Sequence, residues 1–189
     1  MKKVSFLPTL KTQAEAVTTS QELFAPPEAV WQCLMFYEDV PRRPWPLLRL
    51  ILPQPLRSEG NKLTVGGLVR CTYDRGYLLK RTNNVESARL LSFEVVDQQL
   101  GIERYARAER GCYALEATAR GTRVTLTTVY QARLSPRLIW RPLERYLCHR
   151  LHRHILVGMS EALARMHCEK PLLSPDAGES AGTAAAPSR

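Results

Sequence analysis

The chain of 189 residues lacks any apolar run long enough to cross a membrane as a helix, which takes about 18 residues. Its longest apolar cluster, residues 45–52, is broken by Pro46 and Arg49. The opening MKKVSFLPTLK is basic but has no sustained apolar core, because Pro8 and Lys11 interrupt it, and no small-residue cleavage site follows. The expected location is therefore the cytoplasm. Cysteines are few and odd in number: Cys33, Cys71, Cys112, Cys148 and Cys168, with no two close in sequence. That spacing fits neither a disulfide framework nor a zinc site, and predicts reduced, half-buried thiols. The chain also has no internal repeat and no metal, nucleotide or nucleophile motif, so no cofactor is expected.

Acidic residues are in deficit, leaving a net charge of +9 that comes mostly from arginine. Such a balance permits an anionic partner but equally serves solubility. Apolar residues make up 44% of the chain, enough for one domain with a real core.

Residues 1–13 read as a loosely held lead-in. Residues 14–24 (AEAVTTSQELF) suggest a first strand, stopped by Ala25-Pro26-Pro27. Pro27 and Glu28 suit the first turn of a helix, through the missing N–H and the helix dipole respectively. Ala29, Val30, Cys33 and Leu34 supply its apolar face, and residues 37–43 suggest a second short helix before Pro44 and Pro46. Strands are expected at 47–56, 62–75, 77–86, 89–96, 111–119 and 122–133. Turns are expected at Ser58-Glu59-Gly60-Asn61, Asp74-Arg75-Gly76 and Arg120-Gly121. Residues 98–109 fit either strand extensions or a loop. A single long helix starts at Ser135-Pro136, a good N-cap and first-turn pair, and runs to about Met166. Residues 169–189, rich in Pro, Gly, Ser and Ala, are expected to be a disordered tail.

Three stretches carry a resemblance. Leu23-Phe24-Ala25-Pro26-Pro27-Glu28-Ala29-Val30-Trp31 looks like a strand-to-helix entry. Gly121-Thr122-Arg123-Val124-Thr125-Leu126 is similar to a last-hairpin pattern. The closing helix adds Trp140-Arg141-Pro142-Leu143-Glu144-Arg145 and His149-Arg150-Leu151-His152-Arg153-His154. In order and spacing these resemble the SRPBCC superfamily, which groups START domains and polyketide cyclase/dehydrase-like proteins. The resemblance implies an α+β helix-grip fold. A curved antiparallel sheet of about seven strands would wrap around the long C-terminal helix, with two short helices after the first strand. It also implies a hydrophobic cavity, and residues 14–168 as one ligand-binding domain.

Within such a fold, period-two alternation assigns the strand faces that meet the helix. They are Val69/Cys71/Tyr73, Tyr77/Leu79/Arg81/Asn83/Val85, Leu91/Phe93/Val95, Tyr113/Leu115/Ala117 and Val124/Leu126/Thr128/Tyr130. Arg81 and Asn83 would be polar anchors in an apolar pocket, or would sit near a strand end and reach solvent. On the helix, Trp140, Leu143, Leu147, Leu151, Ile155, Gly158 and Ala162 form the apolar stripe, with His154 inside it, His149 opposite and His152 on the flank. The three histidines therefore do not converge as metal ligands should. Gly158 leaves room for a ligand or for close packing. The opposite face, with Arg141, Arg145, His149 and Arg153, and Arg137 and Arg150 nearby, is either solvated or a docking face for an anionic membrane surface or an acidic protein. Nothing in the chain supports nucleic acid as a partner.

These residues lead to a binding module for a hydrophobic small molecule, lipid or polyketide-like. Its expected ligand-binding residues are Tyr73, Arg81, Phe93, Tyr113, Leu126, Tyr130, Trp140, Leu147, Leu151, His154 and Gly158. The alternative is a cyclase/dehydrase-type enzyme in which His154 is the general acid or base, assisted by tyrosines and Arg81. The other reading of His154 is a core histidine held by a neighbour. A third possibility is an interaction protein with a collapsed core.

Overall fold

The computed structural model of the protein describes residues 13–36, 53 and 55–168. The second short helix expected at 37–43, most of the strand expected at 47–56 and the C-terminal tail lie outside these residues. Among the described helices, none is long and apolar enough to cross a membrane.

Strand β1 (Gln13–Leu23) alternates as its sequence predicts: Glu15, Val17 and Leu23 are buried, while Ala14, Ala16, Thr18 and Ser20 are exposed. Helix α1 (Pro27–Phe36) starts on the Pro26 carbonyl, which accepts from Ala29 N and Val30 N at 3.1 Å each. It buries Val30, Trp31, Cys33, Leu34 and Met35.

Six further strands follow: β2 (Pro55–Gly60), β3 (Leu68–Tyr73), β4 (Gly76–Glu86), β5 (Leu90–Gln99), β6 (Ala106–Thr118) and β7 (Gly121–Ala132). They form one antiparallel sheet in the order β1-β7-β6-β5-β4-β3-β2. The β6–β7 hairpin turns where Arg120-Gly121 places it. A side chain on Gly121 (φ 146°) would collide with the Leu23 carbonyl, so β1 can end against this turn only if the residue is glycine.

Two expectations shift. Residues 58–60 belong to β2, and the strand expected at 62–75 begins only at Leu68. The cause lies in Asn61, whose side chain accepts from Leu63 N at 2.9 Å and donates to Thr64 Oγ1 at 3.0 Å, holding 61–67 as a loop. The ambiguous region 98–109 divides into the end of β5, a loop at 100–105 and the start of β6.

Helix α2 (Arg137–Cys168) closes the fold and lies against β1, β7 and α1. Its core-facing residues are His152, Leu156, Met159 and Leu163, joined by Val30, Trp31 and Leu34 of α1. This corrects the expected stripe. Leu143 is 44% exposed, and the most buried line runs through His152, Leu156, Met159 and Leu163, while Gly158 of the expected stripe is also buried and Ile155 and Ala162 pack beside the core.

The reason is electrostatic. Glu15 of β1 is 5% exposed. Its carboxylate takes Arg137 Nη2 at 3.3 Å, Arg141 Nε at 3.0 Å and Arg145 Nη1 at 3.9 Å. Arg137 also pairs Glu144 at 2.8 Å, and Arg145 donates to the Ala16 carbonyl at 3.0 Å. Of the arginine face expected to be solvated or to dock a partner, Arg137, Arg141 and Arg145 reach Glu15 on β1, while Arg141 stays 57% exposed and Arg153 is exposed.

Replacing Glu15 with Ala leaves three guanidinium groups facing a buried strand. The expected loss is about 2–3 kcal/mol of unfolding free energy, measured by urea titration. An unchanged midpoint would show that the arginines do not depend on it.

Candidate functional site

Two cavities lie between the sheet and α2. The inner one encloses about 150 Å³, between β3–β5 and the Leu151, Ile155 and Met159 side of the helix. The outer one encloses about 480 Å³, between the loop at 100–105, β6, β7 and the first half of α2. Leu151 lines both.

Of the residues expected at the ligand site, Tyr73, Phe93, Tyr113 and Leu151 line the inner cavity. Tyr130, Trp140, Leu147 and again Leu151 line the outer one. Leu126 is buried in the sheet and Gly158 in the helix, and neither reaches a cavity wall. Arg81 stands on the outer face, where it pairs Glu94 at 3.0 Å with both side chains more than 40% exposed. His154 lines neither cavity.

The place of Arg81 follows from the local pleat. Along β4 the inward residues are Leu78, Lys80 and Thr82, not Tyr77, Leu79 and Arg81. The register against β5 shifts at Leu79/Lys80 and again at Thr82/Asn84. The second shift returns Val85 to the core side. Two apolar residues that fit an inward face, Leu79 and Val85, therefore sit on different faces.

The slip brings in Lys80, which the sequence reasoning missed. Its ammonium lies 4.3 Å from the centroid of the Phe93 ring. The ring in turn lies flat over β6 because residue 111 is glycine: a Cβ there would collide with the Phe93 ring. Around Lys80 stand Cys71, Tyr73 and Tyr113. Burial pushes the Cys71 thiol up, but the Lys80 ammonium, Ser58 and Lys62 outweigh it and bring it below the ordinary thiol value. Lys80 shows the converse: burial disfavours its charge, and Cys71, Tyr73 and Tyr113 hold it above the ordinary lysine value. Burial pushes the Tyr73 phenol up to about 12, and moves Tyr113 in the same direction. Both phenols are therefore neutral donors near pH 7. Lys62 donates to the Met35 carbonyl at 3.1 Å, tying the chamber wall to the end of α1. Cys71 was placed correctly by its alternation with Val69 and Tyr73, but nothing in its neighbours along the chain pointed to a lysine across the pleat.

The turn of α2 also places the histidines. His152, expected on the flank, is 1% exposed. Its Nδ1 lies 3.0 Å from Thr19 Oγ1 and its Nε2 2.8 Å from Thr128 Oγ1, with Cys148 Sγ at 3.5 Å. His149, expected opposite the stripe, meets the same Thr19 hydroxyl at 2.8 Å. Burial, and secondarily His149, lowers the His152 pKa to about 4. It is a neutral core residue bridging β1 and β7 to the helix.

No family model matches the chain, and no curated protein matches it. Solved structures do. SA2116, a protein of unknown function from Staphylococcus aureus, superposes with a TM-score of 0.58 at 9% identity, over 84% of this chain and 99% of that one. TTHA0849 from Thermus thermophilus gives 0.57 at 17% identity, over 80% and 99%. Norcoclaurine synthase from Thalictrum flavum, in complex with dopamine and hydroxybenzaldehyde, gives 0.52 at 14% identity, over 85% and 90%. The chain has a helix-grip fold. Identities this low carry the architecture and not the site, which rests on this chain's own residues.

The buried His152 sets a pH dependence. Its folded pKa lies below the ordinary value near 6.5, so its contribution is full above that pH and is lost as pH falls toward about 4. The difference in stability between the wild type and His152→Gln is expected to shrink across that window by up to about 1.4 kcal/mol per pH unit. Parallel stability curves in urea at pH 7 and pH 5 would contradict it.

Proposed function

We propose that the protein binds a hydrophobic small molecule, lipid or polyketide-like, between the sheet and α2. The observation that carries this reading is the outer cavity. Its volume of about 480 Å³ is within the usual range for ligand sites, about 300–1,000 Å³. Its walls are mainly apolar, with Leu100, Ile102, Trp140 and Leu147 among them, and a few polar groups such as Gln98, Tyr130 and Glu144. Tyr130 Oη donates to Glu144 Oε2 at 3.5 Å, so even this polar edge is partly satisfied internally. A fold neighbour, norcoclaurine synthase, holds two small aromatic molecules, which is consistent with a small-molecule occupant here.

The cyclase/dehydrase alternative draws less support, because the groups it relied on are dispersed. His154 and Arg81 line neither cavity, and the tyrosines divide between the two. A membrane or acidic protein on the basic helix face also draws less, since Arg137, Arg141 and Arg145 are turned toward Glu15.

Native mass spectrometry of the purified protein mixed with a lipid extract tests the reading. A retained apolar molecule is expected. Ala108, half-buried in the outer cavity wall, provides the control: Ala108→Phe places a ring in the space and is expected to weaken retention by about tenfold or more. Absence of any retained molecule, or a ligand indifferent to Ala108→Phe, would remove the outer cavity as the site.

A further inference from the structure

The inner cavity differs in chemistry from the outer one. Among the described residues that line it there are three cationic side chains, Arg57, Lys62 and Lys80, and no Asp or Glu. Arg57 is turned outward and pairs Glu59 at 2.9 Å, with both side chains more than half exposed. Lys62 is tied to the Met35 carbonyl. Lys80 is the one whose charge is set in the chamber itself, over the Phe93 ring and beside Cys71, Tyr73 and Tyr113. A largely enclosed ammonium is costly without an anion close by. Here the nearest ionisable groups are one thiol and two phenols: the phenols are raised and stay neutral near pH 7, and the Cys71 thiol, lowered from its ordinary value by Lys80 itself, is the one neighbour that can share the charge. The surrounding hydroxyls of Ser58, Tyr73, Thr82 and Tyr113 can all donate hydrogen bonds. A small chamber whose described lining offers cations, several hydroxyl donors and no carboxylate is complementary to a compact anion. A chamber of about 150 Å³ has room for a head group and not for a long apolar body. The outer cavity adjoins it, with the Leu151 side chain forming part of the wall of both.

We propose that the inner chamber receives the carboxylate of an amphiphilic acid whose apolar body lies in the outer cavity. Lys80 is the pairing cation, and the Tyr73 and Tyr113 hydroxyls are hydrogen-bond donors. This rests on the outer cavity being a binding site, and it adds the class of ligand: a monocarboxylic acid with a hydrophobic tail, in preference to its neutral ester or alcohol. Lys80 therefore sets specificity at one end of the ligand, while apolar burial at the other end supplies most of the affinity.

Displacement of the neutral dye Nile red by lauric acid and by methyl laurate tests the inference. The ester is the more hydrophobic of the two, so apolar burial alone would favour it. The wild type is expected to prefer the acid by about tenfold or more, the effect of a charge-assisted hydrogen bond in an enclosed site. Lys80→Met is expected to abolish that preference by lowering the affinity for the acid about tenfold or more, with far-UV circular dichroism showing that the variant is folded. Lys80→Arg keeps a cation at the position and is expected to retain a preference for the acid. Equal binding of acid and ester by the wild type would overturn the inference and leave the outer cavity standing as a site. So would a preference that survives in Lys80→Met. If neither Nile red nor either laurate binds, the outer cavity fails as a binding site and the head-group chamber with it.

Discussion

The arrangement depends on one buried carboxylate. Glu15 sits on the inward face of an edge strand, where a charge is tolerated only if it is paired and hydrogen-bonded. Three arginines at four-residue spacing supply the pairing, and that spacing puts them on one side of a helix. A row of like charges along one helix face repels itself unless a counter-charge lies beneath it. Glu15 is that counter-charge. Its attachment determines how α2 is rotated, and the rotation determines what the helix presents to the sheet. His152, Leu156 and Met159 go into the core. Leu143, Leu147 and Leu151, which would otherwise have packed there, are left to line the outer cavity.

The second constraint is the irregular pleat of the sheet. Register shifts occur in β4–β5 and in β6–β7. Bulges strengthen local twist and re-aim side chains. In β4 this aims Lys80 inward and sends Arg81 to a solvent-facing pair with Glu94. Two neighbouring cations thus have opposite roles: Arg81 sits in a weak surface pair, and Lys80 stands in an enclosed space with hydroxyls and an aromatic face. Gly111 contributes from the next strand but one, since its bare Cα lets Phe93 lie flat and present its ring to the ammonium.

Much of the architecture was legible along the chain. The strand-to-helix entry at Pro26-Pro27, the turn at Asp74-Arg75-Gly76, the hairpin at Arg120-Gly121 and the late long helix all stand where local chemistry puts them. Faces were legible where pairing is regular: Val69, Cys71 and Tyr73 on β3, and Val124, Leu126, Thr128 and Tyr130 on β7, all point inward. They were not legible on β4, because the extra residue at Asn83 exchanges the two faces in a strand that mixes apolar and polar residues on both, Leu78 and Lys80 on one and Leu79 and Arg81 on the other. The rotation of α2 was hidden for a different reason. A hydrophobic stripe and an arginine stripe compete for the sheet, and the rule that charges face water fails when a buried carboxylate lies on the strand beneath. The signal that was present, arginines at 137, 141 and 145 with one acidic residue on the inward face of β1, is a relation between two elements more than a hundred residues apart.

The two constraints bear on the site differently. The Glu15 cluster, the His152 network and the α1–α2 core lie on the side of the fold where helix and sheet are in contact. The inner cavity lies between β3–β5 and the Leu151, Ile155 and Met159 side of the helix, where Leu91 and Tyr113 still pack against the core and Lys80 faces the remaining space. Likeness of fold to norcoclaurine synthase or SA2116 says little about ligand. Neighbours at 9–17% identity can share the contact side while differing at every inward position of β3, β4 and β5. Lys80, set among hydroxyls with no carboxylate among the described residues that line its chamber, belongs to this chain's own β4 and not to the shared architecture.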